Sequence, residues 1–151
     1  MHTLVRRYVK TAVAFLVVGL ALGAWMLARR ELWERFPTPY ETSAHTHAIA
    51  VGFVMLMILG VALWLFPRPE RDDARYRPVL AEAAYWLVTL GTAARVLGEL
   101  ARGAIDAPWL RMVVLASGLA QIAGLGVYFH TMWSRIRPVG SALREAKGER
   151  F

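Results

Sequence analysis

The apolar side chains of this chain are gathered into four long stretches, residues 11–28, 44–66, 79–100 and 110–133, rather than recurring every third or fourth position. Such blocks do not make the one-sided stripe of a helix that packs on a soluble core. The shortest, at about 1.5 Å per residue, is about 27 Å long as a helix, close to the roughly 30 Å of a bilayer's hydrocarbon. A composition of 57% hydrophobic residues and a mean hydropathy of +0.40 agree with lipid as the solvent. In lipid every backbone amide must be satisfied within its own segment, so the blocks predict helices. The expected fold is all-α: an integral membrane four-helix bundle, with residues 1–151 forming a single four-span domain.

A net charge of +7 could point to nucleic acid, but no recognition motif accompanies it, and the basic residues lie between the apolar blocks. They read as topology signals, and nucleic acid is not an expected partner. Twelve Lys or Arg fall on the side of the N-terminus, the 68–78 connection and the tail, five fall on the other side, and Arg95 lies within a span. The positive-inside rule then places both termini in the cytoplasm. The protein is expected to be a multi-pass resident of a bacterial inner (cytoplasmic) membrane. Arg6, Arg7 and Lys10 before the first block resemble the start of a signal peptide, but the apolar run is too long and ends on Arg29 and Arg30, as in a retained anchor.

Between the first two blocks, Leu32, Trp33, Phe36 and Tyr40 suit the headgroup level. Pro37 and Pro39 are expected to bar a continuous helix, Thr42 or Ser43 to cap the next one, and Pro67 and Pro69 to end it. The 68–78 connection is a charged turn, and residues 134–151 are a short helix or a frayed end. The third block keeps its reading as a span because Glu82 lies near one end and Arg95 and Glu99 near the other. Small residues mark helix contacts: Gly19 and Gly23 on the first span, Ala48, Gly52 and Gly60 on the second, Ala116, Ala120 and Gly124 on the fourth. Glycines on the second span serve either close helix contact or a flat cofactor against the backbone. These lines favour a compact bundle, and the small size of the chain favours a homo-oligomer.

A histidine in an apolar segment needs a partner, and His45 and His47 stand together at the head of the second span. Two positions apart, they point about 200° apart round a helix, so each serves a different neighbour or only one is a ligand. His45-Thr46-His47-Ala48, followed by an apolar helix with Gly52 and Gly60, resembles the second helix of the large subunit of haem-copper oxidases, above all the C-type oxidases and the related nitric oxide reductases. There the helix opens His-Thr-Asn-Ala. The resemblance implies that His45 binds the iron of a low-spin haem b, with His47 standing where the family has Asn. That family also uses many more helices and a three-histidine copper site, whereas this chain has four histidines in all. A single haem site in a fragment-like protein is what the resemblance leaves.

Two axial ligands stand only about 4 Å apart across one iron. His130, some 20 residues into the fourth span, is about 30 Å deeper than Leu110 and cannot join His45. It reads as an interfacial residue, and Gln121 as an interhelical hydrogen-bonding group. Met112, and less so Met26, offers a thioether at the depth of His45; a histidine of another subunit or an open position are the alternatives. A filled sixth position means electron transfer with a redox partner, an open one the binding of a diatomic gas such as O2 or NO. Propionates need cations, for which Arg95 and Arg111 are the leading candidates, beside Arg102 and, on the facing loop, Arg29, Arg30 and Arg35. Arg95 has a second reading, a pair with Glu99 one turn on. With no cysteine there is no thiolate site or thiol nucleophile. The expected function is therefore a membrane haem b-binding protein. The rivals are a non-catalytic accessory or assembly subunit of a larger complex, and a non-haem metal held by His45 or His47 across a subunit interface.

Overall fold

The computed structural model describes residues 3–67, 77–137, 140, 143, 144, 147 and 148. His2, the greater part of the 68–78 connection with Pro69, and much of the tail lie outside the described residues. All regular structure among the described residues is helical. Helix α1 is Thr3–Trp33; α2 is Pro39–His47, continued by a π-helical segment Ala48–Met55 and then by α3, Leu56–Leu65. Helix α4 is Pro78–Ala104 and α5 is Pro108–Met132, followed by a 3-10 turn, Trp133–Arg135.

Three of these units are long and apolar enough to cross a membrane: Thr3–Trp33, Pro39–Leu65 and Pro108–Arg135. The third expected span, α4, is as long but more polar. It compensates by position: nine of its residues are buried, against four in α1, because it lies between the second span and α5. Its polar groups face protein. Gln121 of α5 donates to Thr92 Oγ1 at 3.0 Å, and Arg7 of α1 pairs with Glu82 at 2.6 Å.

Helices run further than the apolar blocks because Arg, Glu and Leu are good helix formers beyond the hydrocarbon edge. Helix α1 stops at Glu34, whose φ of 54° is left-handed, and the Arg35 amide folds back on the Arg29 carbonyl at 3.1 Å. The next helix starts earlier than expected. Thr38, not Thr42 or Ser43, is its cap: Thr38 Oγ1 accepts from the Glu41 amide at 3.2 Å, and the Thr38 amide donates to Glu41 Oε2 at 2.7 Å. The helix is interrupted between Trp33 and Pro39, as expected, and Pro39 itself occupies the first turn of α2, where its missing N–H costs nothing. Thr38→Ala should remove about 1 kcal/mol, read as an earlier thermal transition of the detergent-solubilised protein; an unchanged transition would contradict the capping role.

The first core cluster joins α1, α3, α4 and α5 where α1 begins and α5 ends: Tyr8, Leu56, Leu59, Tyr85, Val88 and Tyr128 belong to it. Tyr8 meets Tyr85 and Tyr128 edge-on, with centroids 5.0 and 6.1 Å apart. The glycines of the second span are helix contacts: a Cβ on Gly52 would strike the Phe15 ring and one on Gly60 the Tyr8 Cβ, so side chains of α1 fill the space a flat cofactor would need there. On α5 only Gly124 of the expected small-residue line lies in the buried interface. Ala116 is exposed and Ala120 half-buried, because the face turned to α4 carries Ser117, Gln121, Gly124 and Tyr128. At the end of α3 the Leu63, Phe66 and Pro67 carbonyls accept from the buried Arg135 at 2.7 to 3.2 Å, which satisfies groups a helix end leaves open.

Candidate functional site

The two histidines sit two turns into the second span and turn opposite ways, as their spacing requires. His45 faces α1. Its Nδ1 lies 2.9 Å from the Gly19 carbonyl, and a carbonyl only accepts, so Nδ1 carries the proton and Nε2 keeps its lone pair. The ring rests on Gly23, where a Cβ would come within 3.0 Å of Cε1. Gly19 and Gly23 thus have distinct uses: Gly19 admits Ile49 and Gly23 admits the imidazole. A backbone carbonyl on one ring nitrogen is the arrangement that orients a metal-binding histidine and raises the basicity of the other nitrogen.

His47 faces α4 and enters a polar cluster. Its Nδ1 donates to the Ser43 carbonyl at 2.8 Å, one turn back on its own helix. Glu99 Oε1 accepts from Ser43 Oγ at 2.8 Å and from Arg95 Nε at 3.1 Å. Glu99 Oε2 is 3.4 Å from His47 Nδ1 but is buried without a hydrogen-bond partner, since the His47 proton is directed to Ser43. The Arg95 guanidinium lies against Gly118 of α5, where a Cβ would stand 2.6 Å from Nη1. A carboxylate with 4% of its surface exposed is held by an arginine and a serine from two helices, beside the His47 imidazole, which ties α2 to α4.

A segment invisible in the composition follows at once. From Ala48 to Met55 the helix takes wide π turns, with the Leu56 amide reaching the Val51 carbonyl five residues back. Wider turns rotate the chain less per residue than an α-helix, so the segment resets the angle between the histidine half and α3. Both halves can then present their small residues to α1, Ala48 and Gly52 above and Gly60 below.

The remaining expected site residues are not brought to His45. Arg95 is engaged by Glu99 on the α4 side. Arg111 is exposed and pairs with Asp106 at 3.2 Å, and Met112 is 65% exposed on a helix whose main neighbour is α4. One chain therefore does not supply Met112 as a second donor beside His45, because α5 packs mainly on α4 and meets α1 through Tyr128, near its other end. His130 is exposed near the other end of α5.

Two pairs that sequence reasoning did not assemble lie at this end instead. Arg29 of α1 pairs with Glu41 of α2, and Arg102 of α4 donates to Tyr40 Oη at 2.8 Å with its guanidinium 4.5 Å from the ring centroid. The Thr-x-x-Glu spacing of Thr38 and Glu41 was the available signal for the first. Among the described residues no group of three or more His, Asp or Glu could hold a metal ion. Within this chain His45 stands as a single donor. Comparison with models of known families, with curated proteins and with solved structures finds no match to this chain.

Proposed function

We propose that this chain is a four-span protein of a bacterial inner membrane, with both termini in the cytoplasm, that binds haem b through His45 and serves electron transfer or the binding of a diatomic gas. The observation that carries the reading is the His45 ring: Nδ1–H is spent on the Gly19 carbonyl and Nε2 remains a donor. Porphyrin brings four nitrogens, so one imidazole from the chain and one further ligand, or none, complete the iron. The donor set fits haem better than a bare metal ion, for which a lone histidine is too few. His47 is not part of this site, being turned to Ser43 and Glu99. Insertion of α4 as a fourth span is supported by the direction of its charges, since Glu99 and Thr92 face neighbouring helices and Arg7 neutralises Glu82.

When bound, haem supplies a redox-active or gas-binding iron. The chain's part is to fix the imidazole tautomer and to seat the ring on Gly23. Protein purified in detergent should show Soret and α bands that sharpen on dithionite reduction, either as isolated or after haem loading. His45→Ala should abolish them, while His47→Ala should retain them. A wild type that stays colourless after loading overturns the reading. Co-purification of such a protein with a larger membrane complex would favour the accessory-subunit rival, and bound metal without porphyrin the non-haem one.

A further inference from the structure

We propose that Arg29, held by Glu41 at the mouth of the seam between α1 and α2, is the cation that takes a carboxylate of the ligand bound at His45. The proposal rests on the haem reading and replaces Arg95 and Arg111 as the propionate partners.

The seam runs outward from the histidine along two antiparallel helices. On α1, Gly23 carries the imidazole, and Arg29 is six residues on, about 9 Å further along the axis. On α2, Glu41 is four residues before His45 and on the same face. The Arg29–Glu41 pair bridges the helices one turn above the ring, with the guanidinium 5.9 Å from the Trp25 ring centroid.

The pair is also incompletely matched. Glu41 divides its oxygens, Oε2 to the Thr38 amide and Oε1 to Arg29 Nη1, so it engages the guanidinium through one nitrogen. Nε and Nη2 keep donors in the planar fork that suits a second carboxylate. Side-chain exposures of 22% for Arg29 and 16% for Glu41 leave the pair shielded but open on one side. Four other cations at this end point elsewhere, Arg30 to Glu31, Arg102 to Tyr40, Arg95 to Glu99 and Arg111 to Asp106, and Arg35 is exposed in the turn beyond α1.

The test titrates apo-protein in detergent with haemin and with haemin dimethyl ester, which lacks the carboxylates, and reads affinity from the Soret band. Arg29→Gln should weaken haemin about tenfold, the size of one charge-assisted contact, and leave the ester unchanged. Glu41→Gln keeps a residue that can close the capping box but removes the competing charge, and it should tighten haemin several-fold. Equal haemin affinity in wild type and Arg29→Gln overturns the proposal. So does a loss shared by haemin and ester, which would make Arg29 a brace between helices. Should Arg29→Gln fail to fold, an unchanged haemin affinity in Glu41→Gln overturns it instead. If wild type binds neither porphyrin, the haem reading itself falls and takes this one with it; binding of both without discrimination removes only the role of Arg29.

Discussion

Glu99→Ala is expected to cost about 3 kcal/mol of stability, the lower end of the range for removing one partner of a buried ion pair. The carboxylate is 4% exposed and receives both Ser43 Oγ–H and Arg95 Nε–H. Without it, the Arg95 guanidinium is left between α4 and Gly118 of α5 with no counter-charge, and Ser43 loses its acceptor. Because Arg95 keeps 26% of its side-chain surface exposed, partial solvation limits the loss. Glu99→Gln should cost less, since its amide oxygen still accepts from Ser43 and Arg95. The measurement is reversible unfolding in mixed micelles. In a double-mutant cycle, Arg95→Ala combined with Glu99→Ala should lie nearer wild type than Glu99→Ala alone. A Glu99→Ala protein within about 0.5 kcal/mol of wild type, the scatter of an ordinary surface change, would refute a structural role for the cluster.

Gly124→Leu should be at least as damaging, because its clash is with backbone. A Cβ on Gly124 would stand 2.8 Å from Val88 Cγ2, 2.9 Å from Leu87 Cβ and 3.0 Å from the Val88 amide nitrogen. Across the same interface a Cβ on Gly91 would stand 3.0 Å from the Ser117 carbonyl. A rotamer change cannot relieve contacts of this kind, so α4 and α5 must separate and the Gln121 to Thr92 hydrogen bond goes with them. The cost should exceed the roughly 1–3 kcal/mol of ordinary overpacking. Gly126 supplies the internal control, since a Cβ there meets nothing within 4 Å. Gly126→Leu should be neutral or slightly stabilising through helix propensity. Equal behaviour of the two variants in thermal unfolding would show that the α4–α5 contact is not as close as described.

Much of the candidate site was legible because it depends on local geometry. His45 and His47 had to look opposite ways, and they do, one to Gly19 and the other to Ser43 and Glu99. The Arg95 to Glu99 pair follows from a spacing of four on a helix, and Gln121 does bond across to α4. Arg111 and Met112 were matched to His45 by depth alone. Depth fixes position along the membrane normal and says nothing about which helices are neighbours, and α5 packs mainly on α4. Pro37 and Pro39 do interrupt the helix, but its restart is set by Thr38 rather than by Thr42 or Ser43, and the Thr38 to Glu41 spacing held that information.

By itself, then, the sequence pointed to an all-helical chain of four long segments, of which three are long and apolar enough for a bilayer while α4 carries charge near its ends, because segment length and side-chain transfer energy are local properties. The angle at which each helix presents its residues was decided only by tertiary packing. The π turns of Ala48–Met55 set the histidine half against α1, Gly91 and Gly124 bring α4 and α5 to backbone contact, and Arg29 meets Glu41 across a seam that no spacing within one helix encodes. Close contact between helices depends on pairs of residues far apart in the chain, and such pairs exist only once the bundle has formed.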